Sequence, residues 1–265
     1  MERQPAGMSC APQAPVFWQR QPRLPLPVMK FMGARLEAAL REPSARALLV
    51  WPVVLGAPRL RESHPGGVPE PVLLASAGPM LEALAVTGPR AAWDQAMALL
   101  PNTAEPGPGG WLPHRIWEPL SSLVSLRLGV TLLALQGQPE DARFGLACGA
   151  ALFNSALFHE CHDALEPLWQ RAEGGLKTGL QGLILLAGGF HHLQLHNAGG
   201  MISLWGDALQ ALEPNAFALA TPWGTVGFKA AAAAAAERMA WLDRYDGDMA
   251  LDPLWALSRP TLELT

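Results

Sequence analysis

Hydrophobic residues in the C-terminal half of the chain recur at every third or fourth position, a spacing that predicts amphipathic helices. Glycines interrupt the pattern where helices are expected to end, because glycine readily adopts the left-handed backbone of a helix cap. The predicted helices are Ala142–Arg171, Leu176–His196, Met201–Leu212 and Phe228–Tyr245, with a loop at Asn215–Gly227 and an extended tail at Leu251–Thr265. This pattern predicts an antiparallel helical bundle.

The N-terminal half has a less regular pattern. The apolar, valine-rich run Ala47–Leu55 predicts a buried strand, and Val72–Ala75 predicts a second short strand. Short helices are predicted at Gly33–Arg41, Pro79–Val86 and Pro89–Leu100, the last two with proline in the first turn, where its missing N–H costs nothing. This region is therefore either a small α/β unit or an irregular helical extension, and the chain as a whole is predicted to be mainly α.

Proline and glycine divide the chain into three parts. Residues 1–28 carry six prolines and are predicted to be a flexible or polyproline-like tail. Residues 29–113 are an N-terminal region without an assigned role, and they end in the Gly/Pro linker Pro101–Pro113. Residues 114–265 are predicted to form the bundle, and a further helix is predicted at Ile116–Leu135.

Composition limits the classes of partner. The chain is 50% hydrophobic and 16% charged, which is enough apolar material for a folded core. Its net charge of −4 supplies no basic surface for a phosphate backbone, so nucleic acid is not expected as a partner. No apolar run reaches the ~20 residues of a membrane-spanning helix, and the three cysteines lack a CxxC spacing. These features predict a soluble, cytoplasmic protein with no membrane partner.

One predicted helix carries polar side chains on a face that is otherwise apolar. His162, Glu166 and Trp169 lie at positions i, i+4 and i+7, which places an imidazole, a carboxylate and an indole on one face. His159 lies about 60° from His162 around the helix axis, and Glu160 lies about 160° away, on the opposite face. Polar groups that point into a core need a partner, a metal or a substrate. We therefore expect any chemistry of this chain to be on this helix.

Folding the second helix back on the first brings further polar residues to this face. Gln181 is predicted to lie level with Glu166, and His192 level with Asn154, because residues equidistant from the turn oppose each other. The candidate catalytic residues are His162 and Glu166, and the candidate metal ligands are His162, Glu166, His192 and His159. The candidate pocket residues are Trp169, Gln181, Asn154, Glu160 and Lys177, whereas His191 and His196 are interpreted as structural or surface residues.

Two functions are compatible with this stripe. In the first, it binds a divalent metal ion or a small polar ligand and supports hydrolysis, as metal sites between facing helices do. In the second, it is a buried polar network that fixes helix register in a non-catalytic interaction or oligomerisation module, which would form a homo-oligomer. No nucleotide cofactor is expected, because the chain contains neither a P-loop nor a GxGxxG motif.

The central helices also resemble a known bacterial and archaeal family, domain of unknown function 309. The matching elements are an ALFN opening (Ala151–Asn154), Glu160-x-His162, a His-x3-Glu-x2-Trp motif (His162, Glu166, Trp169), the run Leu180–Ile184, then Leu186, Ala187, His192 and Asn197, and a closing RPTLEL (Arg259–Leu264). The resemblance covers about residues 141–265. It implies a small helical bundle in which the His-x3-Glu-x2-Trp motif is suggested to bind metal, and it brings no established activity.

The chain departs from the family pattern at Pro167, which follows Glu166 directly. Proline removes one backbone hydrogen bond and disfavours helical geometry in the residue before it. We therefore expect a kink that rotates Trp169 relative to His162 and loosens the site. Asp163 stands where the family usually has Glu.

Overall fold

The computed structural model describes residues 18, 50–51, 54–55, 57–83, 86, 88–99, 104–113, 127, 129–135, 143–244 and 251–265. These residues are mainly helical and include one two-stranded and one three-stranded antiparallel sheet, which confirms the predicted mainly α class. Every helix in these ranges is too short or too polar to cross a membrane.

The N-terminal half consists of short helices and a β-hairpin. The elements are α1 (Pro58–Ser63), α2 (Glu70–Ala83) and α3 (Pro89–Leu99), followed by β1 (Ala104–Gly107) paired with β2 (Gly110–Pro113). The predicted strands at Ala47–Leu55 and Val72–Ala75 are wrong, since the described residues of the first run are helical and the second run lies inside α2. Periodicity does not separate a short buried strand from a buried helix segment, which explains the error.

The predicted helices of this half have mixed outcomes. The helix at Pro89–Leu100 is confirmed as α3, whereas Pro79 lies inside α2 and does not begin a new helix. Residues 127 and 129–135 are helical, as predicted for Ile116–Leu135. The helix predicted at Gly33–Arg41 lies outside the described residues.

The predicted Gly/Pro linker contains the folded β1–β2 hairpin. Val68 and Trp111 exchange two backbone hydrogen bonds of 2.8 Å, so the hairpin is attached to the residues that precede α2. Gly110 has a φ of +144°, and a side chain there would collide with the backbone of Val68. Glycine is required at this position because it alone combines that conformation with so close an approach.

Within residues 143–244, five helices form the bundle: α4 (Phe144–Asn154), α5 (Phe158–Arg171), α6 (Gly174–Gln194), α7 (Ala198–Leu212) and α8 (Lys229–Leu242). The central helix is α6, which packs against both α5 and α7, while α5 also packs against α4. The helices predicted at Leu176–His196, Met201–Leu212 and Phe228–Tyr245 are confirmed as α6, α7 and α8, with ends displaced by a few residues.

The prediction of one helix over Ala142–Arg171 is wrong, because the chain turns between α4 and α5. Ala156 has a φ of +59°, a left-handed conformation that a helix cannot continue through. The Asn154 side chain donates to the Leu262 carbonyl and accepts from the Leu262 amide, both at 2.8 Å. Gln194 Nε2 donates to the Ala156 carbonyl at 2.7 Å. These partners come from the tail and from α6, so the turn depends on tertiary contacts.

The predicted loop at Asn215–Gly227 contains a second hairpin. It pairs β3 (Ala218–Thr221) with β4 (Gly224–Gly227), and β5 (Glu263–Leu264) pairs with the other edge of β4. The tail is therefore extended at its end and packed on the bundle, as predicted, although its residues Asp252–Ala256 form a 3-10 helix.

Gly189 allows α6 to approach the fully buried Trp205 of α7. A methyl group at Gly189 would overlap the Trp205 indole. We expect Gly189→Ala to lower the free energy of unfolding by about 1–3 kcal/mol, the usual cost of overpacking. Gly206→Ala, for which no atom lies within 4 Å of the added methyl group, is expected to raise it by about 0.5–1 kcal/mol. Denaturant unfolding compares the two, and equal effects would contradict this contact.

Trp18, within the predicted flexible tail, is buried against the bundle with 6% of its surface exposed. Its Nε1 donates to the Trp255 carbonyl at 3.0 Å, and its ring meets Phe158 edge-on at 6.2 Å. The Arg238 guanidinium lies 5.8 Å from its ring centroid. The chain is therefore packed at this position. The other residues of the tail lie outside the described part, and their flexibility stays a prediction.

Candidate metal centre

The site helix α5 runs from Phe158 to Arg171 with Pro167 inside it. Proline lacks an N–H, so the bond that residue 167 would donate to the carbonyl of residue 163 is absent. The helix nevertheless continues on both sides of Pro167. His162 and Glu166 therefore remain one turn apart on an uninterrupted helix.

The polar stripe of α5 lies at the edge of its buried face and not within it. The buried face consists of Phe158, Cys161, Leu165 and Leu168. At about 100° per residue, the centre of that face lies about 80° from His162. The His162 side chain is 41% exposed, so the expectation that it points inward between two helices is wrong. The larger apolar side chains fill the interface, and the imidazole and carboxylates keep part of their hydration.

The same exposure argues against the second hypothesis for this stripe. A buried polar network requires side chains that are removed from water and satisfied by one another. The side chains of His159, His162 and Asp163 are 44%, 41% and 50% exposed. The stripe is therefore accessible to a ligand from solvent.

Three side chains of α5 come together at this edge: His162, Asp163 and Glu166. One ligand atom from each lies within 4.8 Å of the other two. His162 Nδ1 lies 3.1 Å from Asp163 Oδ1. Sequence reasoning missed Asp163, because it lies about 100° from His162 and falls outside a narrow stripe. The signal that indicates it is the dense alternation of imidazole and acidic side chains from His159 to Glu166.

The charges of this cluster support one another. The hydrogen bond with Asp163 raises the pKa of His162 against the effect of partial burial, and the Glu166 charge adds to the rise. Burial raises the pKa of Asp163, but the hydrogen bond from His162 and the charges of His159, His162 and His191 outweigh it, so the pKa is lowered overall. Asp163 is therefore ionised at neutral pH and interacts with three imidazoles.

His159 and His191 adjoin this cluster. His159 Nε2 lies 3.8 Å from Asp163 Oδ2, and the rings of His159 and His191 have centroids 5.1 Å apart. His159, a predicted ligand, is thus connected to His162 through Asp163. His191, which was interpreted as a structural or surface residue, lies beside His159 because α6 packs against α5.

His192, another predicted ligand, is not among the side chains that converge with His162. Its ring packs on Gly200, where any side chain would overlap it. Its Nδ1 is buried and has no hydrogen-bond partner among the described residues. The tight turn from α6 into α7 places this ring at the helix junction.

The predicted pocket residues Gln181, Asn154 and Glu160 are not among the side chains that converge with His162. Gln181 is exposed on α6, and the Glu166 carboxylate accepts a hydrogen bond from Gln170 Nε2 at 3.3 Å, so the role of Gln181 in orienting Glu166 stays a prediction. The Asn154 side chain hydrogen-bonds to Leu262 of the C-terminal tail and therefore does not take part in the cluster. Burial raises the pKa of Glu160, and the charges of His159, Asp163 and Arg127 act on it less strongly, so Glu160 interacts electrostatically with residues at the cluster as well as with Arg127.

Trp169 and Lys177 form a contact between α5 and α6. Lys177 Nζ lies 4.9 Å from the centroid of the Trp169 ring, within the range of a cation–π interaction. The Trp169 Nε1 is buried without a partner among the described residues. The structure therefore brings these two predicted pocket residues together.

The donor set of the cluster fits a divalent metal ion. One imidazole and two carboxylates suit ions such as Mn²⁺, Fe²⁺ and Zn²⁺. Bonds of about 2.0–2.2 Å separate two ligand atoms on one ion by up to about 4.4 Å. The three ligand atoms lie within 4.8 Å of one another, so side-chain rotations that shorten the longest separation would allow all three to bind one ion.

Comparison with known families agrees with the motifs in α5 and α6. Residues 146–204 match a family model described as "domain of unknown function (DUF309)". The chain resembles this family over that segment. The match extends from α4 into α7 and includes all three residues of the cluster, whereas the resembling tail motif Arg259–Leu264 lies outside it. No curated protein and no solved structure matches the chain.

Proposed function

We propose that the exposed edge of α5 binds one divalent metal ion through His162, Asp163 and Glu166. The observation that carries this proposal is the convergence of their ligand atoms on one accessible edge. Exposed carboxylates alone are weak grounds for a metal site. Here an imidazole shares a hydrogen bond with one carboxylate and lies within reach of another, which adds the nitrogen donor that borderline metals prefer.

The activity class that we propose is metal-assisted hydrolysis. A divalent ion with three protein ligands keeps open positions for water and substrate, and it lowers the pKa of the bound water. His162 and Glu166 keep their predicted places as ligands, and Asp163 takes the place that was predicted for His192. Trp169, one turn beyond Glu166 on α5, supplies an apolar wall. Lys177 lies over its ring and adds a positive charge that favours an anionic group on the substrate.

His162→Ala and Glu166→Gln are each expected to lose one equivalent of bound metal. Removal of a partner that only supports a metal ligand already costs 10–100-fold in affinity, so loss of a ligand is expected to cost more than about 100-fold. Elemental analysis of tag-free protein purified without chelators measures the content, and calorimetric titration with Zn²⁺ measures the affinity.

The matched control is His64→Gln, which removes an imidazole that hydrogen-bonds to the Leu60 carbonyl outside the bundle. This variant is expected to bind metal as the wild type does. A His162→Ala protein with wild-type metal content would contradict the metal site. Chromogenic phosphate and carboxylate esters, assayed with and without added Zn²⁺, test hydrolysis separately. Binding without turnover would leave the metal site in place and remove the enzymatic part of the proposal.

A further inference from the structure

A cavity between α1 and α2 lies outside the metal centre. Its volume is about 450 Å³, within the ~300–1,000 Å³ that small-molecule sites occupy. Val54, Leu60 and Met80 form apolar walls, and Arg59 and His64 add polar groups. These residues belong to the N-terminal half, whereas the proposed metal ligands lie on α5. The cavity is therefore a separate candidate binding site.

Helical spacing builds the walls of this cavity. Ser76 and Met80 are four residues apart on α2, so they lie on one face of that helix. His64 directly follows α1, and its Nδ1 donates to the Leu60 carbonyl at 3.1 Å, which holds the ring beside Leu60. Leu60 and Met80 pack against the core but are only partly buried. A ligand that covers their remaining apolar surface gains hydrophobic free energy.

One side chain supplies strong hydrogen-bond donors to this cavity. The hydroxyls of Ser63 and Ser76 donate to the carbonyls of Arg59 and Val72 at 2.8 and 2.7 Å, so the helix backbone uses both hydroxyl protons. The Arg59 guanidinium, by contrast, has neither a hydrogen bond nor an ion pair within the part of the chain that the structure describes. Its N–H groups are therefore available to an anion.

The geometry and charge of the cavity favour a carboxylate. A guanidinium binds a carboxylate through two parallel hydrogen bonds, which a planar anion matches. Arg59 is the single Lys or Arg among the described residues that line the cavity. One positive charge balances one carboxylate, whereas a phosphate ester carries close to two negative charges at neutral pH.

We propose that this cavity binds a small monocarboxylate with an apolar body, such as a medium-chain fatty acid. Arg59 binds the carboxylate, and Val54, Leu60 and Met80 enclose the apolar body. Binding does not depend on an ion at α5, since the two sites share no residue.

Calorimetric titration of full-length, tag-free protein with octanoate tests this site, and 1-octanol is the uncharged probe of the same chain length. The protein is first dialysed against a chelator, so that the carboxylate cannot bind through an ion on α5. We expect one equivalent of octanoate to bind. We expect 1-octanol to bind at least about 10-fold more weakly, because hydrogen bonds to charged groups are the stronger ones.

Arg59→Gln is expected to weaken octanoate binding by about 10-fold or more, and to leave 1-octanol binding within about 2-fold. The matched control is Arg244→Gln, which removes an exposed guanidinium beside the end of α8 and is expected to leave both affinities unchanged. Ser76→Phe fills the cavity from an exposed position of α2 and is expected to abolish binding of both probes. Circular dichroism checks that each variant is folded.

The other outcomes overturn this site. Octanoate that does not saturate the wild type removes it altogether. An octanoate affinity that Arg59→Gln leaves unchanged, or that Arg244→Gln lowers as strongly, removes Arg59 as the carboxylate ligand. Equal affinities for octanoate and 1-octanol contradict a carboxylate ligand. Octanoate binding that requires added Zn²⁺ assigns the ligand to the metal centre and not to this cavity.

Discussion

Asp163→Asn is expected to abolish high-affinity binding of Zn²⁺ at the proposed site. The substitution removes the negative charge and replaces one carboxylate oxygen by an amide nitrogen that has no lone pair for a metal. The site thereby loses one of the two carboxylates that converge with His162. The affinity is expected to fall by more than about 100-fold, as measured by calorimetric titration with Zn²⁺.

The control for this experiment is Asp207→Asn, which removes an exposed carboxylate from α7. It is expected to bind Zn²⁺ with wild-type affinity. The metal-free Asp163→Asn protein is expected to unfold within about 1 kcal/mol of the wild type, because half-exposed ion pairs contribute about 0–1 kcal/mol. Wild-type binding by Asp163→Asn would remove Asp163 from the site.

Trp18→Ala is expected to lower the free energy of unfolding by about 3 kcal/mol, at the lower end of the range for buried Trp→Ala substitutions. Its ring packs between Phe158 and Trp255 beneath the Arg238 guanidinium, and truncation leaves a cavity against all three. The expected loss lies at the lower end of the range because burial of Trp18 also costs the conformational entropy of its own backbone and side chain. Denaturant unfolding monitored by circular dichroism measures the change.

Trp18→Phe separates the ring contact from the hydrogen bond. It keeps an aromatic ring against Phe158 but removes the Nε1 donor to the Trp255 carbonyl, so a loss of about 1 kcal/mol is expected. An effect of Trp18→Ala below about 0.5 kcal/mol, as is typical of surface substitutions, would show that residue 18 does not pack on the bundle in solution. The prediction of a flexible tail would then extend to this residue.

The helices of the bundle were accessible to sequence reasoning because their apolar residues follow a helical period over many turns. The single predicted helix Ala142–Arg171 shows the limit of that reasoning. Its pattern continues through residues 154–157, and the turn there depends on hydrogen bonds from Leu262 and Gln194, which are distant in sequence. The predicted loop at Asn215–Gly227 failed for a related reason, since β4 is completed by β5 from the end of the chain.

The same distinction applies to the candidate site. The i, i+4 spacing of His162 and Glu166 is a local property, and the structure keeps both residues on one edge of α5. The predicted partners on α6 depended on how α6 is rotated about its own axis relative to α5. The spacing of residues along the chain does not specify that rotation. Gln181 is therefore exposed, while His191, which the pattern excluded, lies beside His159.

The amino-acid sequence by itself determined the helical class, the order of the bundle helices and the one-turn spacing of His162 and Glu166, because each depends on neighbours along the chain. The tertiary structure alone decided that this pair lies at a half-exposed edge and that α6 brings His191 beside His159. Those features depend on how α4 and α6 pack on α5 and how α7 packs on α6. The helices bury the faces that carry large apolar side chains, because this burial contributes more free energy than any single polar contact at the exposed edge.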